Sequence, residues 1–205
     1  MTGLTLYHAS PSRSSVTLWM LEELGEPFEL VVLKLSEGEQ MAPEYLAINP
    51  MGKVPALRHD GAVITEGAAI CTYLADAFPD AGLAKPIGDP DRGPYLKWLF
   101  FGPSCIEPAM VDRALPRQEE PRRGMLGYGD FDTVMNVVAS AVSKGAYLFG
   151  DHFTAADIVI GSGLRWGMMF NLIPERPEFR DYVDRLEQRP ALQRAVARDR
   201  DLMSA

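Results

Sequence analysis

"NPMGKVPALRHDG", Asn49 to Gly61, places prolines at 50 and 55 on the threshold of a run otherwise suited to a sheet. Proline carries no N–H for a ladder, so within sheets it is confined to strand starts, edges and bulges. Downstream, Ala56–Arg58, the Asp60-Gly61 pair and Ala62–Ile64 read as two short strands around a tight turn. Pro55 therefore stands where the chain enters a hairpin, and the elements on either side decide what that hairpin joins.

Upstream, "LTLYH" (4–8) is a short β-type run closed by the Ser- and Pro-rich "ASPSRSS". From Ser14 the apolar spacing becomes helical through Val16, Leu18, Trp19, Leu21 and Leu24, and Gly25 stops it. "FELVVLKL" (28–35) is a second strand, whose Val31, Val32 and Leu33 predict burial on both faces. Strand, helix and strand in so few residues make a βαβ unit with parallel pairing. After the polar loop "SEGEQMAPEYLAINP" and the hairpin, "EGAAICTYLADAFP" spaces Ile70, Tyr73, Leu74 and Phe78 as a helix, with Pro79 beyond its end. The order is β-α-β, a loop, then β-β-α.

Prolines and glycines crowd "PDAGLAKPIGDPDRGP" (79–94), which reads as a linker. Beyond it the patterns are helical. The expected organisation is α/β plus all-α: a first domain over 1–79, a linker over 80–92 and a helical bundle over 93–205. In "DHFTAADI", Thr154 is an N-cap, Asp157 occupies the capping-box position, and Phe153 and Ile158 suit a hydrophobic staple.

Of the 205 residues 47% are apolar and 23% charged, an ordinary globular composition. A formal charge of −8 opposes nucleic acid and anionic membranes, yet leaves room for a small anion at a local site. The two cysteines, Cys71 and Cys105, have no metal or CxxC spacing, and such low use fits a reducing compartment. The amino-terminal residues show no charged region followed by an apolar one, and no apolar run nears the ~20 residues of a membrane helix. A cytoplasmic location is expected.

Together, "TLYHASPSRSSVTLWMLEELG", "GEQMAPEYLAINP", "NPMGKVPAL", "ITEGAAICTYL" and "FTAADIVIG", in this order, resemble the glutathione transferase superfamily over the whole chain. The resemblance implies a thioredoxin-like first domain, glutathione as co-substrate, no metal, and a cis Val54–Pro55 bond. In the family that bend turns the Val54 N–H and C=O outward to pair with the cysteinyl part of glutathione, a very short β-augmentation. Glu66 and Gly67 open a helix and match the turn that receives the γ-glutamyl end. The family usually carries serine or threonine where this chain has Gly67, so one hydroxyl donor to the carboxylate is missing. Gln40 and Lys53 match positions near the glycyl carboxylate, which an amide and a cation suit.

The thiolate is the nucleophile, and the family stabilises it by a hydroxyl, thiol or amide after the first strand, without a histidine base. Aligned to relatives with "TPN" or "SPN", "SPS" makes Ser10 the first choice and Ser12 the second. Aligned to serine-type classes, Pro11 falls on the catalytic serine, leaving both serines one residue away. Ser14 reads as the first helix's cap, Arg13 as added positive potential, Tyr7 as core, and His8 as a lone histidine with no partner for catalysis. Trp98, Phe101, Cys105, Met110 and Trp166 are the candidates for lining an apolar electrophile pocket between the domains. Conjugation of glutathione to such electrophiles is the expected activity. Glutathione-dependent reduction of disulfides or hydroperoxides is the alternative, and a non-catalytic binding protein a second one. A homodimer is implied by the resemblance.

Overall fold

The computed structural model describes residues 3–119 and 121–204; the outer domain limits expected at 1 and 205 lie outside the described residues. The chain divides into two compact units, Met1–Gly82 with Arg189–Ala205, and Leu83–Gln188.

The first unit runs β1 (Leu4–His8), α1 (Ser15–Leu24), β2 (Phe28–Val32), α2 (Pro43–Leu46), β3 (Ala56–His59), β4 (Ala62–Thr65) and α3 (Gly67–Ala77). The sheet order is β2-β1-β3-β4, with β1 parallel to β2 and antiparallel to β3. This is the thioredoxin-like β-α-β-β-β-α arrangement expected of the sequence, with the short α2 added between β2 and β3. Asp60 (φ 48°) and Gly61 (φ 89°) turn the β3–β4 hairpin with positive φ at both positions, as a tight hairpin demands. The polar loop before the hairpin is not bare coil: 3-10 turns at Leu35–Glu37 and Glu39–Met41 precede α2.

One expectation fails at β2. Its apolar run predicted burial on both faces, but β2 lies at the sheet edge, and Val32 is 40% exposed. The parallel partner of β2 is the central strand β1, where Leu4, Leu6 and His8 alternate with Thr5 and Tyr7 across the two faces. Tyr7 packs on Tyr45 of α2, with ring centroids 5.7 Å apart, together with Ala56, Val31 and Val54. It is a core residue.

The last helix, α9 (Pro190–Ser204), is compact with this first unit, although its sequence had placed it with the helical bundle. Its anchors are ionic. Arg194 donates Nε–H to the Glu22 carboxylate at 2.6 Å, Arg198 pairs with Glu22 at 2.8 Å, and Arg189 grips Glu23 through two nitrogens. Glu22 is almost fully buried on α1, so the arginines answer a charge that would be costly to leave alone there.

The second unit is helical. α4 (Arg92–Phe101) passes through a π-helical turn at Gly102–Ile106 into α5 (Glu107–Ala114), followed by α6 (Phe131–Val142), α7 (Ala155–Met169) and α8 (Pro177–Glu187). Residues 145–153, expected to be helical in part, instead form extended bridges Tyr147–Gly150 and Phe149–His152. The capping box forms: Thr154 N–H donates to Asp157 Oδ2 at 2.8 Å. Asp157 also accepts from Leu148 N–H and the Tyr182 hydroxyl, both at 2.8 Å. Burial pushes its carboxyl up from the usual range, and these donors oppose that push. Among the described residues no helix is long and apolar enough to cross a membrane.

Candidate functional site

Strand register determines which segments meet. Tyr7 of β1 lies opposite Ala56 of β3, and Ala56 lies opposite Thr65 of β4. The carboxyl ends of β1 and β4 and the amino end of β3 therefore share one end of the sheet. Three connections converge there: residues 9–14 leading to α1, residues 53–55 leading into β3, and Glu66-Gly67 opening α3. Open α/β sheets bind ligands at such an end, where helices begin.

Val54–Pro55 is cis, as the sequence led us to expect; Ser10–Pro11 is cis as well, which the sequence did not signal. Among the described residues, neither the N–H nor the C=O of Val54 has a hydrogen-bond partner. Lys53, by contrast, has its carbonyl held from inside, by the Tyr45 hydroxyl at 2.6 Å and Asn49 Nδ2–H at 2.7 Å. The loop is thus fixed from below at residue 53 and presents main-chain groups at residue 54.

Gly52 brings a second segment alongside. Its φ is +59°, and a Cβ there would meet Met41 Sδ at 2.6 Å and the Gln40 carbonyl oxygen at 3.1 Å. Only glycine lets the Glu39–Met41 turn abut the residue before Lys53, so Gln40 and Lys53 occupy neighbouring segments. The buried Oε1 of Gln40 has no hydrogen-bond partner among the described residues, and the Lys53 side chain is exposed.

Glu66 adopts φ 67° and ψ 115°, an unusual conformation for a side chain with a Cβ, costing on the order of 1–3 kcal/mol. It is exposed at the start of α3, beside Gly67, whose own φ is not in the left-handed region. A Cβ on Gly67 would lie 3.9 Å from Pro55 Cγ, an ordinary contact. The absence of a side chain at 67 is not imposed by packing.

The serine segment differs most from its reading in the sequence. Ser10 Oγ–H donates to the main-chain oxygen of Asp199 on α9 at 3.0 Å, which engages its single proton. Ser14 stands at the N-cap position but does not cap the helix with its side chain. Its Oγ turns back instead, accepting from Ala9 N–H at 3.1 Å and lying 2.8 Å from His8 Nδ1 and 3.2 Å from the Ala9 carbonyl oxygen. Ser12 Oγ lies 2.6 Å from Ser14 Oγ and accepts from Ser14 N–H at 3.1 Å. Ser12 is half-buried, whereas the flanking Pro11 and Arg13 are exposed.

His8 is not alone. It is fully buried, and its Nε2 lies 2.9 Å from Asp199 Oδ1. Burial pushes the Asp199 carboxyl up, but hydrogen bonds, that from His8 foremost, outweigh it and hold the group below its ordinary range. Sequence reading missed this partner because it stands 191 positions away.

The residues expected to line an electrophile pocket belong to the second unit. Trp98 and Met110 are buried, and Met110 Sδ would crowd any Cβ added at Gly167 of α7, so Met110 serves as packing between helices. Phe101, Cys105 and Trp166 retain partial exposure. Burial raises both thiols, Cys71 to about 12. Neither is poised as a nucleophile.

Known proteins share this plan. The family described as glutathione S-transferase, N-terminal domain, matches residues 2–76, and its C-terminal counterpart matches residues 130–190. Glutathione S-transferase GstA of Escherichia coli O157:H7 is 30% identical over 180 residues, covering 86% of this chain and 89% of its own. The ternary complex of BphK, a bacterial glutathione S-transferase, superposes with a TM-score of 0.81 at 30% identity, covering 95% of this chain and 98% of that one. A sphingomonad glutathione S-transferase complexed with glutathione gives a TM-score of 0.78 at 28% identity, with the same coverage.

Proposed function

The chain belongs to the glutathione S-transferase family, and on that premise we propose that it binds glutathione, holds its thiolate at Ser12 and transfers it to apolar electrophiles. The observation that carries this reading is the unpartnered N–H and C=O pair of Val54, at the sheet end where α1 and α3 begin. An antiparallel pair of hydrogen bonds there holds the cysteinyl residue of a tripeptide. The opening N–H groups of α3 face the γ-glutamyl carboxylate, and Glu66 its ammonium. Gln40 and Lys53 attend the glycyl carboxylate.

Ser12 takes precedence over Ser10, reversing the order read from the sequence. Ser10 donates to the Asp199 carbonyl, a fixed acceptor, whereas Ser12 Oγ, ahead of α1 and its positive end, meets another hydroxyl, Ser14, with which the direction of the bond can reverse. In this mechanism Ser12 donates a hydrogen bond to the sulfur anion, and no protein cysteine takes part. Phe101, Cys105 and Trp166 are the side chains proposed to meet the electrophile. Assembly as a homodimer and a cytoplasmic location go with the reading; sedimentation would check the first.

Retention on immobilised glutathione, with turnover of a chloronitrobenzene set against a hydroperoxide, tests the proposal. Conjugation exceeding reduction, and depressed by Ser12→Ala more than by Ser10→Ala, is the expected result. Faster reduction of hydroperoxide or disulfide selects the alternative activity. Gly67, which withholds a donor from the carboxylate, favours a non-catalytic binding protein, and a folded protein that binds glutathione yet supports neither reaction would select that.

A further inference from the structure

Asp199, His8, Ser14 and Ser12 form a continuous hydrogen-bonded chain, with contacts of 2.9, 2.8 and 2.6 Å in that order. It runs from a carboxylate on α9 through a fully buried imidazole to a half-exposed hydroxyl. The proposed activity uses only its outer end. Donor and acceptor counting shows what the inner groups do.

The Asp199 carboxylate only accepts, so Nε2 of His8 carries a proton. With one proton on the ring, Nδ1 is an acceptor, and the Ser14 hydroxyl donates to it at 2.8 Å rather than to the Ala9 carbonyl oxygen at 3.2 Å. Ser14 Oγ then accepts from Ala9 N–H and from Ser12, whose own proton consequently points inward. Ser12 Oγ accepts from Ser14 N–H and has one lone pair left for an incoming ligand. In this arrangement Ser12 can accept from a thiol and cannot donate to a thiolate. Turning its proton outward alone would leave either the short Ser12–Ser14 contact or His8 Nδ1 without a hydrogen.

One change reverses every link at once. We propose that His8 is the acceptor of the glutathione thiol proton, reached through Ser12 and Ser14 and balanced by Asp199. The thiol S–H proton passes to Ser12 Oγ, the Ser12 proton to Ser14 Oγ, and the Ser14 proton to His8 Nδ1. Three O–H or N–H bonds form and three S–H or O–H bonds break. The products are a thiolate accepting from Ser12 and an imidazolium paired with the Asp199 carboxylate. Each hydroxyl oxygen accepts two hydrogen bonds from this chain and the ligand and donates one in either state. Burial of His8 makes the hydroxyl chain its path to the ligand. His8, Ser14 and Asp199 are positioning residues, since Ser12 alone touches the sulfur.

The inference rests on the proposed thiolate at Ser12, and proton counting separates the two. Glutathione is titrated into the protein while the ultraviolet thiolate band is recorded and net proton release is read from calorimetry in buffers of different ionisation enthalpy. The expected wild-type result is a thiolate band with about zero protons released per site, because His8 keeps the proton. Asp199→Asn retains an acceptor for Nε2–H but removes the balancing charge. It should bind glutathione and stay folded by thermal melt while its thiolate band falls about tenfold at neutral pH. His8→Gln should behave likewise. A wild-type band accompanied by about one released proton, or an Asp199→Asn protein with band and count unchanged, overturns the relay and leaves the transferase reading standing. Glutathione bound with no thiolate band overturns both.

Discussion

Restoring the missing hydroxyl at residue 67 tests where the γ-glutamyl carboxylate sits. Gly67→Ser adds a side chain at the first position of α3, where the backbone is already helical and the new Cβ meets nothing nearer than Pro55 Cγ at 3.9 Å. There is no steric charge to set against the gain. Exchanging glycine for serine in a helix contributes about 0.5 kcal/mol to folding. A hydroxyl donating to a carboxylate is worth about 1.5–3 kcal/mol before the water it displaces is counted. Allowing for that water leaves about 1 kcal/mol, or about a fivefold lower Kd for glutathione. Titration calorimetry reads the Kd, with Gly67→Ala as the partner variant, since it adds the Cβ without the hydroxyl and should stay within about twofold of wild type. Urea unfolding should show both variants slightly stabilised. Equal affinities for the serine and alanine variants, or weaker binding by the serine variant in a normally folded protein, would refute a carboxylate at the first turn of α3.

Asp157→Ala removes the acceptor for Leu148 N–H, Thr154 N–H and the Tyr182 hydroxyl together, and urea unfolding should report a loss of about 3 kcal/mol or more. Hydrogen bonds hold the Asp199 carboxyl below its ordinary range, so its contribution to stability is complete above about pH 4 and is lost as pH falls through the lower folded value. Wild type should show that acid-side loss in melts taken along a pH series, and Asp199→Asn should lack it. Cys71, buried and raised to about 12, should resist a thiol reagent until the protein is denatured, while the partly exposed Cys105 reacts slowly in the native state. Mass spectrometry of the labelled peptides distinguishes the two.

Local signals carried much of the fold. The apolar spacing of α1 and α3, the Asp60-Gly61 turn and the Thr154/Asp157 box each act within a few residues, and each lies where its pattern put it. Val31 and Val32 misled because an apolar run states that a strand can be buried, not that a neighbour arrives on its far side. The placement of the candidate site's segments was legible in the same measure. Val54, Pro55, Glu66 and Gly67 follow from the register of a hairpin whose turn the sequence spells out.

The roles of the serines were not legible. What Ser10 and His8 meet depends on Asp199, carried to β1 by α9, whose Arg194 answers Glu22 on α1 while Arg189, just before the helix, answers Glu23. The order of strands and helices and the β3–β4 turn were therefore determined by the sequence, because they arise from short-range geometry and periodicity. That Ser10 is engaged from α9, and that His8 has a carboxylate behind it, were decided only when the chain's end packed beside its beginning. A hydrogen bond has a direction, and that direction is set by whichever group arrives on the other side.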